Sequence, residues 1–547
     1  MTTSLVSTFV THSLFDRTMI PYVLLGATIA LAIAMQCLKV ARACKSTPPS
    51  VPGHWLFGNE KLLGIPWRGP FIAENYVPKY GDIFQLSTLF RRVLVLSSSQ
   101  AVKEVLEKQA AVTSDRPKNV MLFDLCGLGL NVAFRNQDEL QKKHRRVIAS
   151  ALHPTAARSY AALHSATSVF FLRDIANRIN ALPSVDHAIM GPSHYDPLIA
   201  SIRDAVGRFI VQMTYGHVIS EDDPLLQLIR NQASFMARVL SSHYWVNDFP
   251  ILRYLPAWFP GASFQRDAKE FIKRQDRVTT EPFIRALKRM VEGTATSPSY
   301  VSKLLELKGG VNASNDDIEL VKCTALPMFF AGSTTTVALI LNFLFMMSIH
   351  PEIAARVQAE IDDQVGRNRL PALQDRNSMP YTDAALLEVM RFHPVSTLGI
   401  QHFTTEDIEV RGYKIRKGTA VEANIWALMH EPSTYPDPYT FNPDRFLKQT
   451  PDPDPRHFFF GFGRRVCPGQ HVANNGAFTL CAAFMSVFSI TAGEETMRTV
   501  GKHGKELWKM FRQYGTFYPE PFACTVKPRD QAALALLETC KEIEVTD

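Results

Sequence analysis

The chain has 547 residues, of which 46% are hydrophobic and 20% charged, and its formal net charge is +7. This mild positive charge is not gathered into long basic runs, which argues against nucleic acid as a partner. The 8 cysteines are scattered without a CxxC pair, which indicates reduced thiols rather than a disulfide framework, and no repeat or linker divides the chain into smaller domains.

An apolar segment near the start of the chain predicts a membrane anchor. Residues 18–38 carry no charge and are long enough for a helix to cross a hydrocarbon core of about 30 Å. A secretory signal peptide is the alternative, but its basic residues would precede the apolar run, whereas Lys39, Arg42 and Lys45 follow it. The positive-inside rule then places the rest of the chain in the cytosol.

The chain is predicted to have four parts, of which the anchor is the second. Residues 1–17 are predicted to be a short lumenal end, 18–38 the transmembrane anchor, 39–60 a basic and proline-rich hinge, and 61–547 one large domain. The prolines at 48–52 fix φ and cannot continue a helix, so the hinge is predicted to be a stiff spacer.

The first part of the domain predicts a β-hairpin followed by helical and irregular segments. Two alternating apolar runs, 83–86 and 93–96, are predicted to pair as strands. Residues 101–108 have helical spacing. Residues 121–134 are rich in Leu, Gly and Phe without clean periodicity, which predicts a loop laid over an apolar cavity rather than a packed helix. The basic cluster 141–146 opens another predicted helix and is expected to be mostly a solvated face.

A connection rich in proline and aromatic residues covers positions 247–261. It includes Phe249, Trp258 and Phe259. Apolar residues in such a connection belong either to the core or to a surface that dips into a membrane, and the sequence leaves both alternatives open.

Residues 316–349 are nearly all apolar and predict one long helix. At 1.5 Å per residue it would extend roughly 50 Å, and Ser314 and Asn315 are candidate N-caps. A second membrane span is the competing interpretation, but Lys322 interrupts the early part. The cluster 331–336 gathers hydroxyls in the middle, where Ser and Thr bond to backbone carbonyls and a widened turn would hold water and pass protons. Small-residue packing between helices is the structural alternative for this cluster.

The last third of the chain combines an ion pair, short strands and a further apolar helix. Glu388 and Arg391 lie three residues apart on one face of a predicted helix. Strands are predicted within 408–421, with a turn at 417–418. Residues 473–490 are apolar at helical spacing and predict a buried helix.

A cysteine on a glycine-rich turn is the strongest chemical signal in the chain: Phe460-Gly-Phe-Gly-Arg-Arg-Val-Cys-Pro-Gly469. Gly463 and Gly469 flank Cys467 and allow close approach of the backbone to a flat ligand. Backbone N–H groups that point at the sulfur would hold it as the thiolate, which is the form that binds metal. Arg465 is placed to pair with an anionic carboxylate of a cofactor. A buried structural cysteine is the alternative, but this spacing rarely arises by chance.

These ten residues resemble the haem-binding signature of the cytochrome P450 family, the haem-thiolate monooxygenases. The resemblance implies a mainly α fold with a small β-sheet portion, haem b as the cofactor, and Cys467 as the axial iron ligand, whose electron donation favours O–O cleavage. It also implies that Phe460, Arg465 and Gly469 bind the cofactor.

The hydroxyl cluster of the long helix resembles the family motif Ala-Gly-x-(Asp/Glu)-Thr-Thr. The resemblance implies that Thr335 is the catalytic hydroxyl on the oxygen side of the haem. Thr334 stands where an acid is usual in the family, and a threonine relays a proton but does not supply one as a carboxyl does. The proton route is therefore the point at which this chain departs from the family.

Three further segments resemble the family in the expected order. Arg145 corresponds to the Arg of a Trp-x-x-x-Arg pattern that binds a haem propionate, with Gln141 in place of the Trp. His402 lies where the family has Arg or His on a propionate. The pair Glu388 and Arg391, with the downstream Arg445, resembles the Glu-x-x-Arg lock, which implies a role in folding rather than chemistry.

The resemblance covers nearly all of the chain after the anchor. It implies a single-pass enzyme of the endoplasmic reticulum membrane that uses NADPH and O₂ to oxidise an apolar small molecule, as fungal members do in terpenoid or polyketide secondary metabolism. No Rossmann or flavin motif is visible, so electrons are expected from a separate NADPH–cytochrome P450 reductase. Two alternatives stay open: an oxygen-independent haem-thiolate isomerase or dehydratase, and a non-enzymatic haem- or lipid-binding membrane protein.

Overall fold

The computed structural model shows a mainly helical chain with small sheets, in agreement with the predicted fold class. The residues that the structure describes are 46–180, 197–219, 244–294, 298–513 and 516–539, with isolated positions between 223 and 239. The predicted lumenal end, the membrane anchor and the first part of the hinge lie outside the described residues. The described end of the hinge is attached to the sheet, because the amide of Val51 donates to the carbonyl of Gln85 at 3.0 Å.

Helices form most of the fold. The described helices of eight or more residues are α1 (Arg68–Asn75), α2 (Glu139–Leu152), α3 (Ala161–Asn180), α4 (Pro197–Tyr215), α5 (Ser263–Glu292), α6 (Asn315–Ile349), α7 (Pro351–Gln364), α8 (Pro380–Phe392), α9 (Gln470–Val487), α10 (Glu494–His503) and α11 (Gln531–Thr539). Helices α3, α4, α6 and α9 pack against one another in the centre, so the long apolar helix is surrounded by protein.

The strands in the described residues are short and form small separate sheets. They are β1 (Ile83–Ser87), β2 (Arg92–Leu96), β3 (His402–Phe403), β4 (Ile408–Val410), β5 (Tyr413–Ile415), β6 (Ala420–Ala423), β7 (Phe488–Ala492), β8 (Phe511–Gln513), β9 (Phe517–Pro519) and β10 (Cys524–Pro528). The largest sheet has the order β1-β2-β6-β3, in which β1 and β2 form the predicted antiparallel hairpin and β2 runs parallel to β6. The pairs β4–β5, β7–β10 and β8–β9 are each antiparallel.

The predicted turn at 417–418 is present and separates β5 from β6. A further turn, which the sequence analysis did not predict, lies at Arg411 and Gly412, both with positive φ, and joins β4 to β5. One strand boundary differs from the prediction. The apolar run 473–490 is helical only to Val487, and its end forms β7. The partner strand β10 pairs with β7 from a distant part of the sequence, so local periodicity does not reveal the change.

Residues 119–130, here called the π-turn segment, are not the loop that the sequence predicts. They form a π-helical turn, Val120–Leu125, and a 3₁₀ turn, Leu128–Leu130, and the Asn119 side chain caps the first by accepting from the amide of Leu122 at 2.9 Å. Val120, Met121 and Leu122 are buried. A wide turn that buries consecutive residues does not match the 3.6-residue period, which explains why the sequence pattern suggested a loop.

Helix α6 is the long helix predicted from the apolar run. Ser314 is its N-cap and accepts from the amide of Asp317. Among the described residues α6 is the helix long and apolar enough to cross a membrane, but 65% of its most apolar window is buried inside the protein, as in the core helix of a globular domain. The predicted widened turn is wrong, because the helix is α-helical through residues 331–336. At Gly332 the alternative of small-residue packing holds, since a Cβ there would lie 2.7 Å from Cδ1 of Ile210 on α4.

The predicted charged lock joins α8 to the segment before the cysteine turn. Arg391 donates to both carboxylate oxygens of Glu388 at 2.8 and 2.9 Å, and Arg445 donates to the same carboxylate at 3.1 Å. All three side chains are buried. The pair is therefore part of the core, and the predicted link from Glu388 to Arg445 is present.

Candidate active site

The turn that carries Cys467 is fixed by its own backbone and by a neighbouring π-helical turn, Lys103–Glu107. The amide of Cys467 donates to the carbonyl of Phe460 at 2.8 Å. Gly463 has a φ of +54°, and a Cβ at this position would overlap the carbonyl oxygen of Leu106 in the π-helical turn. Only glycine fits there, and the turn delivers Cys467 to the N-terminal end of α9.

The surroundings of Cys467 suit a metal ligand more than a free nucleophile. Burial raises the pKa of the Cys467 thiol, while the amide of Gly469 and the positive charge of Arg145 lower it. The predicted amide contribution is thus present, but burial outweighs it, so the turn alone does not hold a thiolate. A thiol loses its proton when it coordinates a metal cation, which would supply the missing positive charge.

Two predicted arginines reach the region of the cysteine turn. Arg145 on α2 donates to the carbonyl of Val466 at 2.6 Å, next to the cysteine. Arg465 donates to the carbonyls of Ser114 and Arg135 at 2.6 and 2.7 Å. Burial, together with the charge of Arg145, lowers the pKa of Arg465 to about 10.

Arg116 joins this cluster, although the sequence analysis did not identify it. Its buried guanidinium group donates to the carbonyls of Ala133 and Gln401 at 2.9 and 2.7 Å. Burial, followed by the charges of Arg465 and Arg145, lowers its pKa to about 9. The sequence signal for this residue is weak. The following Pro117 favours an extended backbone at Arg116, and an apolar segment follows.

His402 lies at the edge of the same cluster. Its Nδ1 donates to the carbonyl of Thr113 at 3.0 Å, as the neutral tautomer requires. Burial, and then the charges of Arg116 and Arg465, lowers its pKa to about 3. The ring is therefore neutral near pH 7, and it would donate from Nε2 only after a bound anion had promoted its protonation.

The residues present fit a haem. Arg116, Arg145 and Arg465 bond to backbone carbonyls, and within the described part of the chain no carboxylate contacts any of them. Buried cations that repel one another are stabilised by an anionic partner, and the two propionates of a haem would provide one. The sulfur of Cys467, in the same region, would bind the iron.

Thr334 and Thr335 lie on the central turn of α6. This turn is accessible, with Ala331 exposed and residues 332–336 partly exposed, whereas the helix is buried from Val337 onward. The Thr335 hydroxyl donates to the carbonyl of Ala331 at 2.7 Å. The structure describes no contact between these threonines and the cysteine turn, and α6 meets that region through its packing against α9.

A cysteine turn beside buried and partly buried guanidinium groups is the arrangement expected of a haem-thiolate protein. Comparison with known proteins agrees, since the family model described as Cytochrome P450 matches residues 48–510. Cytochrome P450 monooxygenase 208 of Postia placenta is 32% identical, over 94% of this chain and 97% of its own length. Cytochrome P450 monooxygenase ppsD of Aspergillus oryzae is 31% identical, over 92% of each chain.

A solved structure supports the same assignment. A zebra fish cytochrome P450, determined with progesterone, has a TM-score of 0.68 and 25% sequence identity, and the match covers 84% of this chain and 99% of that one. The chain belongs to the cytochrome P450 family. It is a haem-containing monooxygenase that uses O₂, a redox partner and a small-molecule substrate, as members of this family do. The relatives are named monooxygenases, which favours oxygenation over the isomerase or dehydratase and the non-enzymatic alternatives.

Proposed function

We propose that the protein oxidises an apolar small molecule, with haem b held by Cys467 and with electrons from NADPH through a separate reductase. Haem b, when bound, supplies the iron at which O₂ is activated. The accessible central turn of α6 is the observation that carries the proposal, because it exposes hydroxyl groups in the middle of a helix that is otherwise mostly buried and apolar. The relatives are fungal monooxygenases, and we propose a place in secondary metabolism, such as terpenoid or polyketide biosynthesis.

Thr335 and Thr334 are proposed to handle protons in this reaction. The bond from Thr335 to the carbonyl of Ala331 fixes the orientation of its hydroxyl and leaves the oxygen free to accept a hydrogen bond. The Thr334 hydroxyl does not supply a proton of its own, unlike the carboxyl that is usual at this position in the family. Protons would therefore come from solvent through hydroxyls and water. The two threonines would relay protons and would not be their source.

Replacement of Thr335 tests this role. Thr335→Ala is expected to lower the amount of oxidised product per NADPH consumed by about a hundredfold, the lower limit of proton-transfer effects. The reduced-CO spectrum should be unchanged, because the residue is not on the cysteine side. Thr335→Ser keeps the hydroxyl and is the control. Equal coupling in the alanine and serine variants would show that the hydroxyl has no part in proton transfer.

Membrane attachment is proposed to involve a second surface besides the anchor. The connection 247–261 exposes Ile251, Tyr254 and Trp258, the last with 79% of its surface accessible. These side chains lie outside the core, so of the two alternatives left open by the sequence the exposure favours a surface that dips into lipid. We place the enzyme on the cytosolic side of the endoplasmic reticulum membrane.

Deletion of residues 1–38 is expected to release only part of the protein from membranes. Adding Trp258→Ser and Ile251→Ser to the deletion should release most of the remainder, because both changes remove exposed apolar area. Flotation with lipid vesicles measures the bound fraction. Leu307→Ser is the control, since Leu307 is equally exposed outside this connection. Release by the control variant to the same extent would show that the connection has no special role.

The exposed basic residues of α2 are proposed to receive the reductase. Lys142, Lys143 and Arg146 are exposed, and their neighbour Arg145 contacts Val466, so this face of α2 lies on the cysteine side of the site. Electrons must reach the haem from a partner, and a basic face speeds encounter with an acidic flavin domain. Such steering is screened over about 8 Å at physiological salt.

The double change Lys142→Glu with Lys143→Glu is expected to slow reductase-supported turnover several-fold at low salt. Turnover driven by hydrogen peroxide needs no partner and should be unchanged. Lys288→Glu is the matched control, because Lys288, like Lys142, is an exposed helical lysine paired with a nearby glutamate. An equal loss in both assays would mean that the two lysines support the haem site instead.

A further inference from the structure

We propose that the ion pair between Glu422 and Arg68 positions Arg116, one of the three arginines that would bind the haem propionates. The effect is indirect and passes through Gln401, which comes just before β3. The inference rests on the proposed function, because it takes haem b as the cofactor. It makes Arg68, Gln401 and Glu422 positioning residues of a site that none of them touches.

The ion pair lies in an apolar layer between the largest sheet and α1. Glu422 on β6 is in register with Val95 of β2, and its side chain is 1% exposed. On that face of the sheet Ile72 of α1 packs with valine, leucine and phenylalanine side chains of β1 and β2. Arg68, at the start of α1, donates to the Glu422 carboxylate and to the carbonyl of Leu63. Two charges in such a layer lose their hydration, so the pair is weak evidence of stabilisation and is better explained by positioning.

Gln401 links the ion pair to Arg116. Its side-chain amide donates to Oε1 of Glu422 at 2.6 Å, and the same oxygen accepts from Arg68. Its backbone carbonyl accepts from Nη1 of Arg116 at 2.7 Å. Strand β3, which follows, has only two residues, so strand pairing contributes little to fixing the segment before it. The bond from Gln401 to Glu422 therefore helps to set the position of this carbonyl.

Arg116 has one nitrogen left for an anionic ligand. Its Nε donates to the carbonyl of Ala133 at 2.9 Å, and its Nη1 donates to the carbonyls of Ile400 and Gln401 at 2.9 and 2.7 Å. Within the described residues Nη2 has no hydrogen-bond partner. A guanidinium group is planar, so the carbonyls that hold the other two nitrogens also set the direction in which Nη2 would donate to a propionate. A shift of the Gln401 carbonyl would turn Nη2 away from that direction.

The alternative is that the ion pair serves only to attach α1 to the sheet. Other contacts already attach this helix. Trp67, just before α1, donates to the carbonyl of Phe511 at 2.6 Å, and the carbonyl of Gly69 accepts from Asn424 at 3.1 Å. Attachment of α1 also leaves unexplained why the carboxylate of the pair accepts a bond from Gln401.

The test uses the full-length protein with haem and measures two quantities: the rate of haem transfer to excess apomyoglobin and the midpoint potential of the haem iron. Gln401→Leu removes the bond to Glu422 and keeps the carbonyl. The double change Arg68→Met with Glu422→Met removes the ion pair without leaving an unpaired buried charge. Both proteins are expected to lose haem roughly three- to tenfold faster, the factor that corresponds to the loss of one hydrogen bond. The midpoint potential should fall in both, because a positive charge moves away from the haem.

Combined variants test whether the effect passes through Gln401 and Arg116. Gln401→Leu added to Arg116→Met should change neither the transfer rate nor the potential further, because no guanidinium group is left to position. Gln401→Leu added to the double change Arg68→Met with Glu422→Met should likewise have no further effect. The second combination keeps Arg116, so it does not depend on how well the Arg116→Met protein binds haem.

Gln85→Leu is the matched control. Gln85 on β1 is also partly buried, and its side chain donates to Ser87 at 3.2 Å rather than to the ion pair. This variant should keep the wild-type transfer rate and potential.

Four results would overturn the proposal: wild-type transfer rates in both the Gln401→Leu and the double variant, additive effects in the combined variants, an equal effect of Gln85→Leu, or faster haem transfer with an unchanged potential. The last of these would show general loosening of the fold instead of a displaced charge. Failure of the wild-type protein to show a thiolate-type CO band would contradict the proposed haem site itself, which separates the two failures.

Discussion

Cys467→Ala should abolish both the reduced-CO absorbance band of thiolate-bound haem and monooxygenase turnover, while the polypeptide still folds. The change removes the sulfur that would bind iron, and the backbone bond from the Cys467 amide to the carbonyl of Phe460 stays in place. Haem bound without a thiolate lacks the electron donation that favours O–O cleavage. Difference spectra and product assays measure the two losses, and circular dichroism measures the fold.

The control for this result is another buried cysteine. Cys481 lies in the middle of α9, and burial raises its pKa well above its ordinary value, so it is a structural thiol. Cys481→Ala should keep the full CO band. A Cys467→Ala protein that retained the band would show that another residue binds the iron.

Glu388→Gln should destabilise the folded protein by about 3–5 kcal/mol, because removal of one partner of a buried ion pair leaves the others uncompensated. The carboxylate accepts from Arg391 and Arg445 and also from the amide of Asn442 at 2.9 Å. Its loss would leave the buried guanidinium group of Arg391 without its counter-charge and would leave Arg445 with Asp452 alone. Urea unfolding, followed by the far-ultraviolet circular dichroism signal, measures the change.

The matched control is Glu494→Gln at the start of α10. Glu494 is paired with Arg498 at 4.0 Å, and its side chain is 96% exposed. An exposed pair contributes at most about 1 kcal/mol, so this variant should unfold close to the wild-type midpoint. If the two glutamine variants lost equal stability, the buried ion pairs of Glu388 would contribute no more to folding than the exposed pair of Glu494 does.

The sequence predicted those parts of the fold whose signal is local. The β1–β2 hairpin follows from two alternating runs, and α6 follows from one long, nearly all apolar run with a capping candidate before it. The change from α9 to β7 was missed because the strand depends on pairing with β10. The π-turn segment was misread because its buried residues are consecutive, whereas helix prediction relies on a 3.6-residue period.

The candidate site could be predicted where its residues lie together in one sequence motif. Cys467, Gly463 and Arg465 lie within ten residues, and their pattern is rarely found by chance. Arg116 was missed because its position beside Arg465 arises from chain packing across more than 300 positions, which no spacing rule reports. Burial, which raises the pKa of the Cys467 thiol, is a property of the folded state and is not visible in the motif.

The contact between Gly463 and Leu106 links two parts of the gene that lie far apart. A π-helical turn holds one residue more than an α-helical turn, and here that extra residue brings the Leu106 carbonyl against the cysteine turn. A homologue that has lost one codon within 103–107 would regain α geometry and withdraw this carbonyl. We therefore expect homologues with an intact π-helical turn at residues 103–107 to have glycine at position 463. Insertions or deletions in that turn should occur together with a larger residue at position 463. A family-wide alignment in which the two vary independently would contradict this coupling.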